Sequence, residues 1–497
     1  MKENDIKKPI FNTLKPYVAS LIVVLICVFP LFKFEYSTDT YHFALHPGLD
    51  GIIEAMRYNG RIVSMLGAML LDKINVSFTA FYYVSFIMSI IFSMLSITTL
   101  YKMLKGHISR NLAFFIAIIT ILNPLSFEHF LFIEKGFFAF AIFMAVLSAK
   151  FFLLFLQGKK GHLILSYIFL TLCAFTYQAL PAAFVALAVA FIVIYSKNVK
   201  SFISNTAIAA SVYGFATFMI FIAMKIFDLA KRASVSFNLK NIYKFLTFGL
   251  GNPYLLLVYV LVFTALFLSV FISSKRACGA FFTKESTLAF FKYAFIIVAT
   301  VIATSAPCPF SKPEDVWFTP RFAYPVGLLV GTIPILHFFK HERLDENLND
   351  ERLFTKDTYK KSLVMLSALF IIMGVFHSFC FSRHITNASD KKDAMIIQEK
   401  IAEYENETGI EIKKISIYYD KSSSDGYSGT VFLPNCNVRA LSRKWCDVAH
   451  LSLFHERSYK KVDNNKDCKE YFSSRDWDKF ENDSFIFEND TLHLCVY

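Results

Sequence analysis

Long apolar runs that carry no charge in their interior recur along the chain up to residue 381. Most of these runs are about 17–25 residues long, the length that an α-helix needs to cross the hydrocarbon core of a bilayer, and the run at 111–123 is shorter, as expected of a tilted or partly re-entrant segment. The 497-residue chain is 55% hydrophobic and only 18% charged, and it contains 57 phenylalanines, which places it outside the range of soluble proteins. The runs therefore predict an all-α polytopic membrane protein.

The runs predict about eleven transmembrane helices. Their predicted spans are 17–34, 78–101, 111–123, 137–156, 162–177, 180–196, 203–224, 254–273, 287–306, 321–339 and 362–381. A lysine-bearing leader precedes the first span, but bulky residues follow it in place of a cleavage site, so we expect an uncleaved helix. We expect a transmembrane domain at 1–381, with interfacial helices in a loop at 35–77, and a small domain at 382–497.

Basic residues are concentrated in alternate loops, as is typical of loops that face the cytoplasm. These residues are Lys102, Lys105, Arg110, Lys159, Lys160, Lys197, Lys200, Lys275, Arg276 and Lys284. The net charge of +12 is therefore a topology signal, and no motif indicates nucleic-acid binding. The pattern places the N-terminus in the cytoplasm and, with an odd number of helices, the C-terminal domain outside. Lys231 and Arg232 lie in a basic segment that breaks this pattern. The segment is interpreted either as one that lies on the membrane surface or as one that binds phosphate.

The small domain at 382–497 has the pattern of an α+β fold. Apolar residues at helical spacing occupy 393–408, and Gly409 follows as a stop signal. Alternating strands are predicted at 411–419 and in a hairpin of 484–487 with 491–496. The domain also holds four of the nine cysteines, namely Cys436, Cys446, Cys468 and Cys495. An even set in an exported domain favours two disulfides of undetermined pairing, and zinc is the alternative, although CxxC spacing is absent.

Polar residues at the outer ends of the predicted helices are the candidates for function, because lipid tolerates such groups poorly. Glu35 and Asp39 follow the first helix, and two amphipathic pieces at 51–56 and 61–71 are joined through Asn59, Gly60 and Arg61. The remaining candidates lie at other outer ends: Glu128, Glu134, Lys135, Tyr177, Gln178 and Arg321.

An acid just beyond the first helix, followed by interfacial helices, is the layout of GT-C glycosyltransferases, which this chain resembles in helix number, orientation and exported tail. Asp39, the Asn-Gly-Arg at 59–61 and Tyr177-Gln178 resemble the bacterial serotype-converting O-antigen glucosyltransferase (Gtr) family. The similarity in layout spans nearly the whole chain, the matching residues are few, and 382–497 resembles no family.

The resemblance implies an inner-membrane enzyme that transfers a hexose, glucose in that family, from polyprenyl phosphate to lipid-linked O-antigen on the periplasmic face. It implies a single displacement with inversion. It further implies a functional link to a small flippase and to a polyprenyl-phosphate glucosyltransferase.

Transfer of a sugar to a hydroxyl needs a base, for which Asp39 is the first candidate and Glu35 the second. No cofactor is firmly implied, although Glu35 is alternatively a ligand that helps to hold Mg²⁺ or Mn²⁺. A departing lipid phosphate needs positive charge, for which the candidates are Arg61, Arg321, Lys135, Lys231 and Arg232. Candidates for sugar binding are Tyr177, Gln178, Glu134, Glu128 and Asn59.

Each candidate also has an ordinary structural interpretation. Asp39 is consistent with an acid exposed to solvent in a loop, and Gln178 with a break between two helices. Arg61 and Arg321 are consistent with anchors at the membrane interface. Two other functions remain open as well. An O-antigen polymerase or ligase has a similar helix count. A flippase or transporter of lipid-linked sugars predicts mid-helix charges and two similar halves, whereas the predicted helices are nearly free of interior charge and the sequence shows no two-half symmetry.

Overall fold

The computed structural model describes residues 4–226, 238–244, 284–308, 319–340, 356–420, 426–430 and 436–497, with isolated positions 256, 260, 263 and 264. The described part is mostly helical. Its helices before the C-terminal region are α1 (Asn4–Val28), α2 (Thr38–Ala44), α3 (Asp50–Tyr58), α4 (Ile62–Lys73), α5 (Phe78–Leu104), α6 (Arg110–Ile121), α7 (Phe127–Leu131), α8 (Lys135–Leu156), α9 (His162–Thr176), α10 (Pro181–Tyr195), α11 (Val199–Ile226), α12 (Lys284–Ser305), α13 (Pro320–Gly327) and α14 (Leu329–Phe338).

Six helical segments among the described residues are long and apolar enough to cross a membrane, and four shorter apolar helices accompany them. The prediction of a polytopic membrane protein is confirmed at this level. The predicted span at 254–273 lies almost entirely outside the described residues, whereas the other predicted spans fall on helices, with 321–339 divided between α13 and α14. Helix α1 shows why these helices suit lipid, because Leu14, Val18, Ile22 and Leu25 form an exposed apolar stripe.

Helix α10 lies at the centre of the bundle and is almost completely buried. Close packing also fixes α13 and α14, because glycines let them approach α6. A Cβ added to Gly331 would lie 1.7 Å from Thr120 Oγ1, and one added to Gly327 would lie 2.1 Å from Asn123 Oδ1. Only a residue without a side chain fits at these contacts. These contacts fix the position of α13, whose second residue is Arg321.

A single helix, α15 (Lys356–Thr408), continues from the membrane region into the C-terminal domain, by which we mean residues 382–497. The sequence predicted a transmembrane span at 362–381 and a separate helix at 393–408, but the residues between them are also helical. Gly409 ends α15 with a φ of 71°, as its position predicted. The domain is therefore joined to the membrane region by a continuous helix.

The C-terminal domain contains a four-stranded sheet in the order β2-β1-β4-β3, which confirms the predicted α+β character. Its strands are β1 (Lys414–Tyr419), β2 (Lys460–Lys461), β3 (Phe485–Glu488) and β4 (Thr491–Val496), and its further helices are α16 (Asp447–Phe454) and α17 (Lys466–Phe472). Strand β1 pairs in parallel with β4, and β3 and β4 form the predicted antiparallel hairpin. One face of the sheet packs on Ala394, Ile397 and Ile401 of α15 and on α16.

The first loop, residues 35–77, is docked onto the C-terminal domain. Tyr41 donates a hydrogen bond to Asp390 on α15 at 3.1 Å, and its ring stacks on Tyr36 with 4.8 Å between centroids. Asn387 exchanges two hydrogen bonds with the backbone of Tyr36, at 2.7 and 2.9 Å. His450 of α16 packs edge-on against Tyr41. The orientation of α2 therefore depends on residues about 350 positions away in the chain.

His450 makes this docking sensitive to acid. Its Nε2 donates to the Asp390 carbonyl oxygen at 3.0 Å, and burial lowers the pKa of His450 from 6.5 to about 3. Below pH 6.5 the unfolded chain therefore binds a proton at this histidine, whereas the folded chain does not. The free energy of unfolding consequently falls by about 1.4 kcal/mol for each pH unit below 6.5. We expect the thermal midpoint of His450→Gln to fall less steeply on acidification than that of the wild type. Parallel slopes for the two proteins would contradict this role.

Candidate functional site

An open cleft of about 390 Å³ lies between the first loop, the ends of the membrane helices and the C-terminal domain. Helices α2 and α3 each present one face to it, because lining residues recur there at a spacing of three and four. These residues are Asp39, His42, Phe43 and His46 from α2 and its C-terminal end, and Gly51, Glu54, Ala55, Tyr58 and Asn59 from α3 and its C-terminal end. The remaining lining residues are Met56 of α3, Arg61, Glu134, Arg321 and Trp445.

Asp39 lies in the first turn of α2 and is partly exposed to the cleft. Ser37 caps the start of this helix, because its hydroxyl accepts a hydrogen bond from the Thr40 backbone NH at 3.3 Å. A carboxylate at this position is favoured by the helix dipole. Within the described residues, no hydrogen bond or ion pair engages the carboxylate of Asp39. Its oxygens are therefore available to a group that enters the cleft.

Arg61 and Glu134 form a nearly buried ion pair in the wall of the cleft, with 3.3 Å between Nη1 and Oε1. The guanidinium also lies over the ring of Tyr177, 4.6 Å from its centroid. Burial raises the pKa of the Glu134 carboxyl, Arg61 lowers it, and the nearby Asp39 raises it again. Arg61 therefore carries positive charge into the cleft, held by Glu134 on one side and an aromatic face on the other.

Gln178 supports the turn that carries Arg61. Its Nε2 donates to the carbonyl oxygens of Asn59 at 2.8 Å and of Gly60 at 2.9 Å. Gly60 has a φ of 67°, which favours glycine, and the Asn59 side chain caps the turn by donating to Ala55. Tyr177 and Gln178 lie behind the turn and are not among the residues that line the cleft. In the structure they position Arg61.

We expect Gln178→Met to impair the protein through this turn. The variant keeps the size of the side chain but leaves two carbonyl oxygens without their donor, which destabilises the turn by about 1–3 kcal/mol. Displacement of Arg61 should then reduce the catalytic activity of the protein. Gln178→Asn should retain more of this activity than Gln178→Met does, because its side chain keeps an amide. Steady-state kinetics of both variants check this, and equal activity of Gln178→Met and the wild type would exclude the positioning role.

Arg321 lies at the start of α13 and lines the same cleft as Arg61, and its guanidinium lies 3.9 Å from the ring centroid of Phe132. Its backbone NH donates to Glu128, which is completely buried on α7. Burial raises the pKa of the Glu128 carboxyl, and the charge of Arg321 lowers it. Glu128 does not line the cleft, so in the structure it holds the N-terminus of α13 and thereby places Arg321.

Two further candidates lie away from the cleft lining. Glu35 is buried, and its Oε1 is 2.7 Å from Nδ1 of His384 on α15. Lys135 is also buried, with its ammonium 3.5 Å from the ring centroid of Tyr82. Lys231 and Arg232 lie outside the described residues. Of the two candidate bases, the structure therefore brings Asp39, and not Glu35, to the cleft.

The structure does not support the predicted disulfides, because Cys436, Cys446, Cys468 and Cys495 are all free, buried thiols. Cys436 packs with the membrane helices, whereas the Cys446 thiol donates to the Ala440 carbonyl oxygen in a separate apolar cluster. Cys468 and Cys495 share a third cluster. The apolar surroundings of each thiol, rather than a covalent bond, account for its burial.

Several lining residues were not candidates in the sequence analysis, among them His42, His46, Glu54 and Trp445. The spacing of His42 and His46 from Asp39 was a usable signal, because residues three and seven positions apart share a helix face. No local signal existed for Trp445, which comes from the C-terminal domain and is 42% exposed. Its exposed indole offers a flat apolar face on which a ligand in the cleft can stack.

A scan of the chain against protein-family models, and searches for similar curated proteins and for similar solved structures, each found no match.

Proposed function

We propose that the protein is a glycosyltransferase of the GT-C type, with eleven transmembrane helices in the bacterial inner membrane. It transfers a hexose, glucose by the resemblance, from polyprenyl phosphate to lipid-linked O-antigen on the periplasmic face. The observation that supports this function is that one cleft contains both an acid, Asp39, and two arginines, Arg61 and Arg321. Among the described residues, the carboxylate of Asp39 has no hydrogen-bond or ion-pair partner. A base beside two phosphate-binding cations is the arrangement that this transfer needs.

In the proposed reaction, Asp39 takes the proton from the acceptor hydroxyl as its oxygen attacks the anomeric carbon. The new carbon–oxygen bond forms on the face opposite the phosphate, and the bond from the anomeric carbon to the phosphate oxygen breaks. Its electron pair leaves on the polyprenyl phosphate, whose added negative charge Arg61 and Arg321 stabilise. The configuration at the anomeric carbon is therefore inverted.

The surroundings of the cleft suit a lipid donor. Helix α4, which follows Arg61, has an exposed face of large apolar side chains: Leu66, Met69, Leu70 and the following Ile74. Such a face favours a helix that lies in the membrane interface, as the sequence predicted for this segment. A polyprenyl chain in the bilayer then reaches the cleft with its phosphate, while the acceptor sugar approaches from the side of Trp445.

Arg321→Lys should weaken donor binding. The backbone bond to Glu128 is kept, but the planar fork of donors is lost, so we expect the KM for the polyprenyl-phosphate hexose to rise roughly 10- to 100-fold. Arg57→Lys is the matched control, because Arg57 is exposed on α3 and does not line the cleft. An unchanged KM in Arg321→Lys would exclude this arginine from phosphate binding.

The composition of the O-antigen tests the proposed function in cells and separates it from its alternatives. Lipopolysaccharide from cells that lack the protein is compared by mass spectrometry with that from cells complemented with the wild type. We expect one additional hexose per repeat unit with the wild type. An unchanged repeat unit with altered chain length would instead indicate a polymerase or ligase, and loss of all surface O-antigen without the protein would indicate a flippase.

A further inference from the structure

Three side chains from separate elements of the C-terminal domain converge at the edge of its sheet, away from the cleft. They are Cys468 on α17, Glu488 at the end of β3 and His493 on β4, and their ligand atoms all lie within 4.8 Å of one another. The Cys468 Sγ is 3.8 Å from Glu488 Oε1, and Glu488 Oε2 is 3.5 Å from His493 Nε2. Cys468 and His493 are buried, and Glu488 is exposed.

The alternation of β4 brings this cluster together. Leu492, Leu494 and Val496 point into the core against α15 and α16, so His493 lies on the opposite face, beneath α17. Ile486 of β3 pairs with His493 and Glu488 pairs with Thr491, which makes Glu488 a diagonal neighbour of His493. The sheet and its hairpin thus fix two of the three side chains, and α17 supplies the third.

Two asparagines orient the cluster. The Asn464 Oδ1 lies 3.3 Å from Nδ1 of His493, so Nδ1 carries the proton and the Nε2 lone pair faces Glu488 and Cys468. Asn465 donates from its Nδ2 to both oxygens of Glu488, at 3.0 and 2.9 Å. The Asn465 Oδ1 also accepts from the Cys468 backbone NH at 2.7 Å and so fixes the start of α17. Partners of this kind orient the side chains that bind metals in proteins.

We propose that Cys468, Glu488 and His493 bind a zinc ion. A thiolate, an imidazole and a carboxylate are the ligands that Zn²⁺ prefers, whereas Mg²⁺ and Ca²⁺ prefer oxygen alone. Tetrahedral zinc with bonds of about 2.0–2.3 Å separates its ligand atoms by roughly 3.3–3.7 Å. Here His493 Nε2 lies 3.5 Å from one oxygen of Glu488 and Cys468 Sγ lies 3.8 Å from the other, and one ligand atom from each of the three residues lies within 4.8 Å of the other two. On binding, the Cys468 thiol releases its proton to solvent, and water fills the fourth position beside the exposed Glu488.

The proposed ion joins α17 to the β3–β4 hairpin and so stabilises a small domain that holds the first loop in place. The competing fate of Cys468 is a disulfide with Cys495, since both thiols lie in the cluster around Phe472 and Trp477. The two alternatives exclude each other at Cys468. They differ in their dependence on Cys495, which a zinc site does not use.

Metal binding by the full-length protein, purified in detergent, reduced and stripped of metal, tests the proposal. We expect one equivalent of Zn²⁺ per chain, and with Co²⁺ as the probe we expect a thiolate-to-cobalt charge-transfer band. Cys468→Ser should lose the band, and Glu488→Gln, an exposed substitution that the fold should tolerate, should weaken Co²⁺ binding about 10- to 100-fold. The matched control, Cys495→Ser, should keep both the band and the affinity.

Two results of the metal titration would overturn the proposal. One is a reduced wild-type protein that binds neither Zn²⁺ nor Co²⁺ in stoichiometric amount. The other is a band that Cys495→Ser loses as completely as Cys468→Ser does. A Cys468–Cys495 disulfide found by mass spectrometry of the protein isolated without reductant would also contradict it, because the thiolate ligand would then be absent.

Discussion

Replacing Asp39 by asparagine is expected to reduce sugar transfer roughly 10²- to 10⁴-fold while leaving folding and membrane insertion intact. Asparagine keeps the shape of the side chain but cannot accept the proton of an attacking hydroxyl. Asp39 is also partly exposed and forms no hydrogen bond or ion pair within the described part of the chain, so little of the fold depends on its charge. The loss should therefore lie in kcat, with donor binding retained.

The matched control for this variant is Asp50→Asn, which removes a second carboxylate from the first loop. Asp50 is exposed at the first turn of α3 and does not line the cleft. Transfer by both variants is measured with purified protein and a polyprenyl-phosphate hexose donor. Full activity of Asp39→Asn would exclude Asp39 as the base, and equal losses in both variants would attribute the effect to the charge of the loop.

Replacing Arg61 by methionine should abolish donor binding and also destabilise the protein by about 3–5 kcal/mol. The guanidinium is nearly buried against Glu134, so its removal leaves a carboxylate without its ion-pair partner in the wall of the cleft. Burial raises the pKa of Glu134, and the loss of Arg61 removes a charge that lowers it. The destabilisation should therefore be full at high pH and decrease as the pH falls through this raised pKa.

The double variant Arg61→Met/Glu134→Gln separates stability from function. Glutamine replaces the buried charge by a neutral amide, so the double variant should regain much of the thermal stability lost in Arg61→Met. It should not regain transfer, because the cation for the donor phosphate is still missing. Thermal midpoints and transfer rates of the wild type, both single variants and the double variant are compared. Recovery of transfer together with stability would show that Arg61 has only a structural role.

Much of the helical architecture was predictable because its cause is local. An uncharged apolar run long enough to cross a bilayer forms a helix in lipid whatever its neighbours are. Helices α5 and α8 accordingly match their predicted spans closely. The continuity of α15 was not predictable, because the residues between 381 and 393 are polar and their helical state depends on packing against the first loop and the C-terminal domain.

The site was predictable only where its residues are close in sequence or carry isolated charge. Asp39 and Arg61 were identified in this way, and both line the cleft. The position of Gln178 behind the turn at 59–60 was not readable, because the hydrogen bonds that define it join residues almost 120 positions apart. The same holds for Glu35, whose partner His384 lies on α15. Long-range pairing of this kind has no period or motif in the sequence.

Transfer by the purified protein tests the central claim most directly. The full-length protein in detergent is supplied with polyprenyl-phosphate glucose and a lipid-linked O-antigen repeat unit, and the products are identified by mass spectrometry and by the anomeric coupling in their NMR spectra. We expect free polyprenyl phosphate and a repeat unit enlarged by one hexose of inverted configuration, with neither formed by Asp39→Asn. Joined repeat units without an added hexose, or a donor left intact with every acceptor offered, would contradict the account.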